Sequence, residues 1–230
     1  MGSAPQRKHL LLLTFLILQS IGQPLIARGS HITRILSDLV LGALCLYVLY
    51  IVLDRWGHRV IGLVLLLAVG SANAAHYMLS PALQATAAIL FHLFLIAFLG
   101  FAVGVILNNL FHKTAIRGDD VIGAICGYIL GAMVWANLFA LAYLFVPSAF
   151  SVNTAIVMQL EDWQAKRSLF DYLSFTTLTS LGYGDITPVG QPVFSLTWLE
   201  VLFGQFYMAV VVAQMVGLKM AQAIKARGQD

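Results

Sequence analysis

The sequence predicts an all-α membrane protein of six spanning helices, with a re-entrant helix and a glycine-rich loop between the last two. Three observations predict it. Sixty per cent of the 230 residues are apolar and ten per cent are charged, with a mean hydropathy of +0.88, which excludes an ordinary soluble domain. The apolar residues fall in runs long enough, at 1.5 Å per residue, to cross a hydrocarbon core of about 30 Å. Late in the chain a short helix-capable segment meets the turn Thr177-Leu178-Thr179-Ser180-Leu181-Gly182-Tyr183-Gly184-Asp185, and a further apolar run follows Pro188 and Pro192. Non-helical backbone at membrane depth is tolerated only where protein buries it or where it lines a water-filled cavity.

The spans come in order. Leu10–Ala27 is interrupted by Gln19, Ser20, Gln23 and Pro24. It fits a retained helix, because apolar character resumes after Pro24. It also fits a cleavable signal peptide, with basic Arg7 and Lys8 before it and small Ser20 and Gly22 near its end. The next spans are expected at Ile35–Leu53, Val60–Leu79, Ala82–Leu107 and Val121–Val146, and the last at Val193–Leu218. The domain plan is a membrane region over 1–118, a pore-type domain over 119–218 and a short tail over 219–230.

Loop charges orient the chain. With both termini cytoplasmic, the inner loops hold Arg7, Lys8, Arg55, Arg59, Lys113, Arg117, Lys219, Lys225 and Arg227, and the outer ones Arg28, Arg34, Lys166 and Arg167. That excess agrees with the positive-inside bias. The net charge of +3 is small and its basic residues are dispersed, so no nucleic-acid surface is expected. No nucleophile–base pair, metal-spaced cluster or phosphate loop is visible, so no enzyme and no cofactor are expected. Cys45 and Cys126 lie in separate apolar segments and read as packing residues.

Several local signals can be read. Gly123, Gly127 and Gly131 recur every four residues, as do Gly100 and Gly104, a spacing that lets helices approach closely in lipid. The first triplet is expected to be a contact face. Ala82–Leu107 contains no Arg or Lys, so the charge on which a membrane field does work is absent from the fourth span. Within the spans, His92, and His76 with Asn73, read as interhelical hydrogen-bond partners, and Arg34 with Asp38 as an i,i+4 pair. Glu161 and Asp162 lie in the loop Val146–Arg167, an expected outer cap. Ser168, with Asp171 three residues on, predicts a capped helix start near Leu169.

Thr177–Asp185 resembles the selectivity filter of the potassium-channel family, and Phe170–Pro188 resembles its pore loop. Less specifically, the resemblance runs from the preceding membrane helix through Gly217. It implies a passive potassium channel, with K+ as the transported ion. Backbone carbonyls of Ser180, Leu181, Gly182 and Tyr183, with Gly184 closing the loop, would bind dehydrated ions, and the Ser180 hydroxyl would complete the innermost site. Thr179, Asp185, Tyr172 and Glu200 would support the filter, with Tyr172 bonding Asp185 and the Tyr183 ring bracing against the pore helices. Gly204, twenty residues after Gly184, would be a gating hinge or a packing glycine. Met208, Val212 and Met215 would line the inner cavity. One filter per chain implies a homotetramer in a lipid bilayer, gated by an unidentified partner or lipid. The chain departs from the family at Ser180, where threonine is usual, and at Leu181, where valine or isoleucine is usual. Potassium selectivity is expected to survive with a looser innermost site. A potassium-transporter subunit and a non-conducting regulatory subunit are the alternatives. The short tail fits a bacterial inner-membrane protein.

Overall fold

A computed structural model describes residues 8–26, 31–52, 56–78, 80–153 and 163–227. The helices are α1 (Lys8–Ile26), α2 (His31–Ile51), α3 (Trp56–Met78), α4 (Pro81–Phe111), α5 (Gly118–Phe145), α6 (Trp163–Leu178) and α7 (Gln191–Arg227). Strands β1 (Phe150–Val152) and β2 (Ile186–Pro188) form an antiparallel pair, with Ser151 opposite Thr187. Among the described residues, four helices are long and apolar enough to cross a membrane, at Trp56–Ala75, Leu83–Phe111, Gly118–Phe145 and Gln191–Lys225. The apolar stretches of α1 and α2 are shorter, Lys8–Gly22 and Leu36–Ile51.

α5 is the central post. It packs against α4, α1, α6 and α7. Lipid tails are as apolar as leucine, so close van der Waals contact rather than the hydrophobic effect holds helices together in a bilayer. The glycine triplet on α5 permits that contact. A Cβ on Gly123 would meet the His9 ring of α1 at 3.3 Å, one on Gly127 the Tyr207 hydroxyl of α7 at 2.5 Å and Ile106 of α4 at 3.1 Å, and one on Gly131 the Phe203 ring of α7 at 2.7 Å. The contact face is present, and it serves three helices. Gly100 and Gly104 differ: both are exposed, with open space beyond the Cα.

The main core joins Leu12 and Leu16 of α1, Leu44 and Val48 of α2, Leu95, Phe98 and Leu99 of α4, and Cys126 and Leu130 of α5. Cys45 and Cys126 are buried free thiols, as expected for packing residues. His92 bonds Asn137 across α4 and α5 at 2.8 Å, fully buried. Asp38 accepts from Asn73 at 3.2 Å and from Tyr77 at 2.8 Å, which ties α2 to α3. The side chains of Arg34 and His76 lie outside the described ones, as do residues Glu161 and Asp162 of the expected cap.

One expectation is corrected. The helix expected to start near Leu169 starts at Trp163, so Ser168 is interior and no N-cap. Trp163 to Arg167 contain no glycine or proline to stop the helix extending backwards. The segment expected as a tail is helical as far as Arg227, where α7 ends, since Lys219–Arg227 is rich in alanine and lysine, both good helix formers. The loop after α5 also contributes a strand, β1, too short to leave a readable period.

Candidate functional site

The site is built where α6 dips between α5 and α7 and turns back. The N-terminal half of α6 is held by aromatic contacts. Phe170 lies 5.3 Å, ring centre to ring centre, from Phe150 of β1 and 5.5 Å from Tyr143 of α5, and Phe150 meets Phe139 of α5 edge-on at 6.0 Å. The C-terminal end is held by polar contacts at depth. Tyr128, near the middle of α5, donates to the Leu178 carbonyl at 3.2 Å. α6 therefore ends inside the span rather than crossing it, with its partially negative carbonyl end turned inward.

Closer contact comes from α7. Gly204 is buried, and a Cβ there would collide with the Leu178 carbonyl oxygen. This approach of helix to backbone accounts for the glycine, and α7 passes through it without a break.

Just above, Ser174 and Glu200 are both fully buried. The Ser174 hydroxyl oxygen is 2.7 Å from the Ala132 carbonyl and 2.5 Å from Glu200 Oε1. The hydroxyl donates to the carbonyl and lies within hydrogen-bond distance of the carboxyl oxygen. Glu200 Oε2 has no partner among the described residues. The pair locks α5, α6 and α7 at one level behind the loop.

The loop itself has an unusual backbone. φ is positive at Ser180 (+58°), Gly182 (+50°) and Gly184 (+76°), and not at Leu181 or Tyr183. Ser180 is the single non-glycine residue with positive φ among those described. Left-handed backbone costs an L-residue roughly 1–2 kcal/mol, so glycine at alternate positions lowers the cost of this path. The amide of Ser180 bonds the Thr177 carbonyl at 2.9 Å, and the amides of Leu181 and Gly182 bond that of Thr176 at 2.8 and 3.2 Å. The Thr179 hydroxyl donates to Phe175 O at 2.7 Å. Leu181 and Tyr183 are 56% and 68% exposed, so this protomer alone leaves the loop uncovered.

At the far end, the Tyr172 hydroxyl donates to Asp185 Oδ2 at 2.7 Å, and the Tyr172 and Tyr183 rings lie parallel at 6.5 Å. The hydrogen bond expected between Tyr172 and Asp185 is present. Asp185 Oδ1 also accepts from the Ile186 amide at 3.1 Å, and Asp185 O from the Asn153 amide at 3.0 Å. The strand pair thus clamps the exit of the loop.

The three residues expected in the cavity lie within about 60° of one another around α7, at 100° per residue. Met208 and Val212 are exposed, whereas Met215 packs beside Leu110, Ala124, Tyr207 and Val211. Their exposure therefore differs along α7 rather than around it: Met215, two turns beyond Met208, is partly buried where Leu110 and Ala124 approach. Gln205, which shares the exposed stripe of Met208 and Val212, was missed from the sequence. Its Nε2 donates to Ser180 Oγ at 3.0 Å.

At the opposite end of α5 is a cavity of about 370 Å³, lined by His9, His58, Asn109, Lys113 and Asp120 among apolar neighbours. His9 pairs with Asp119 at 2.5 Å and Lys113 with Asp120. His9 and Asp119 are distant in sequence, and no local pattern connects them.

A re-entrant helix between two spanning helices, ending in a loop of alternating handedness, defines a pore-type module. Residues 126–218 match the family described as ion channel. That stretch is therefore similar to an ion channel domain, over less than half of the chain. No curated protein and no solved structure matches the chain.

Proposed function

We propose that four copies of this chain form a potassium-selective channel that conducts passively through residues 180–184. The observation that carries this reading is the alternation of positive φ at Ser180, Gly182 and Gly184, within the ion channel match and directly after a helix that ends at mid-span. Such alternation turns successive carbonyls to one side. Four loops around an axis then present rings of carbonyl oxygens that replace the hydration shell of a cation. Asp185, Tyr172, Thr179 and Glu200 brace the loop, and Met208 and Val212 face the water-filled cavity below it.

The tetramer is supported by the uncovered outer side of α7. Pro188, Phe194, Thr197, Trp198, Val201 and Leu202 line an apolar furrow, and the Leu181 and Tyr183 side chains await neighbours. In this reading α1 and α2 also span the bilayer, giving six helices with both termini in the cytoplasm of a bacterial cell. α1 is retained, since Leu12 and Leu16 fill the main core. K+ is cargo, no cofactor takes part, and gating comes from a lipid or a partner.

The test is potassium flux into liposomes of purified protein, with Gly182→Asp as control. Barium-sensitive flux lost in the variant is the expected result. Near-equal permeability to sodium and potassium would overturn the selectivity, and a tetramer that passes no ion at any voltage or pH would overturn conduction.

A further inference from the structure

Residue 180 combines two features that leave its side chain under-determined. Its left-handed backbone is pinned by the bond from its amide to Thr177 O, which fixes the Cα–Cβ direction but not the hydroxyl. A serine hydroxyl lacks the γ-methyl that restrains χ1 in threonine, and it can occupy three staggered wells. The restraint comes from another element. Gln205 Nε2 donates to Ser180 Oγ at 3.0 Å.

That reach has a physical cause. Gly204 lets α7 touch the Leu178 carbonyl, two residues before Ser180. The next side chain along α7 is thereby delivered under the first residue of the loop. Gln205 is exposed in the protomer, on the stripe of Met208 and Val212, so core packing does not explain a long amide there.

We propose that Gln205 is a specificity-determining positioning residue for the innermost cation site. A serine hydroxyl has one donor and two acceptor positions. The Gln205 amide occupies one acceptor position and holds the other towards the conduction axis, supplying from α7 the restraint that a threonine carries in itself. Freed from that bond, the hydroxyl rotates and accommodates sodium more readily. The inference rests on the reading of residues 180–184 as a potassium filter.

The experiment measures the potassium-to-sodium permeability ratio of the full chain in bilayers, with K+ and Na+ as the probes. Gln205→Met keeps the side-chain length without the amide, and Gln205→Asn keeps the amide one methylene short of Ser180. Both are expected to lower the ratio about five- to tenfold, the order of one lost neutral hydrogen bond. Ser180→Thr with Gln205→Met is expected to restore it, because the threonine γ-methyl supplies the restraint that the amide no longer gives. Rescue by a methyl at another residue separates positioning from general structural damage, and an unchanged elution volume in detergent shows that the variants assemble. Unchanged ratios in both Gln205 variants, or a double variant no better than Gln205→Met, would overturn the role of Gln205 while wild-type flux upholds the channel. A wild-type protein without potassium flux would overturn the channel reading and this inference together.

Discussion

At the scale of single residues, the balance is set by what each atom meets within about 3 Å. Ser174 and Glu200 are the sharpest case. Glu200→Gln keeps the side-chain length and a polar group against Ser174, and is expected to melt within about 0.5 kcal/mol of wild type, less than one net hydrogen bond. Ser174→Ala leaves a buried carboxyl without a partner and is expected to cost about 1–3 kcal/mol. Adding Glu200→Leu to Ser174→Ala removes the orphan and should recover much of that loss. Thermal melts of the four proteins in detergent check this, and a double variant no more stable than Ser174→Ala would refute the pairing. Gly204 invites a second comparison. Gly204→Ala drives a methyl into the Leu178 carbonyl, an overpacking that costs about 1–3 kcal/mol. Gly100→Ala and Gly104→Ala enter open space and are expected to melt with wild type. A Gly204→Ala protein equally stable would show that something other than close approach selects the glycine. From sequence alone a hinge and a packing role were equally open at Gly204, because a lone glycine in a membrane helix does not disclose which backbone lies against it. Glu200 was legible as a costly group in a membrane, but its partner was not: Ser174 is one of many serines, and only the crossing of α6 and α7 selects it.

At the scale of elements, the loop is held at both ends by bonds to neighbours rather than by its own sequence. At its base, α7 and Tyr128 grip the end of α6. At its exit, Tyr172, the strand pair and Asn153 converge on Asp185. Tyr172→Phe keeps the ring that stacks on Tyr183 and removes only the hydroxyl. A double-mutant cycle of Tyr172→Phe with Asp185→Asn, read by melting temperature, is expected to give a coupling of about 1.5–3 kcal/mol, the range for a hydrogen bond to a charged group. A coupling near zero would mean that Tyr172 supports the loop only through ring contact. Much of this level could be read beforehand. The aromatic at 172 and the aspartate at 185 stand where the family resemblance implies a bond. The strand pair could not, since three residues give too little alternation to separate a strand from a turn. The helix start at Trp163 was also missed, because Ser168 and Asp171 mimic a cap in sequence while the residues before them continue the helix without a break.

At the scale of the molecule, hydropathy and the loop motif together disclose the plan, because bilayer thickness sets span length and only a special loop interrupts it. Burial along one helix face stays hidden, as partly buried Met215 beyond exposed Met208 and Val212 illustrates. So do contacts such as His9 with Asp119, which joins α1 to α5 across 110 positions. The arrangement has a consequence for gating. Moving one elementary charge through the membrane field yields about 2.3 kcal/mol per 100 mV, and steep voltage dependence needs several such charges in each subunit. α4 offers no arginine or lysine over Pro81–Phe111, and its buried His92 is bonded to Asn137 of the pore domain. A helix tied to α5 in this way has little charge to move and a polar contact to break before moving. Currents in planar bilayers between −100 and +100 mV are therefore expected to follow a nearly ohmic relation, with an apparent gating charge below about one per channel, against the three to four per subunit of arginine-based sensors. Open probability that rises steeply over a few tens of millivolts would require charge movement elsewhere in the molecule. It would also leave α4, which carries no Asp, Glu, Lys or Arg, as an element to be excluded by Ala substitution at His92 and at its partner Asn137 of α5.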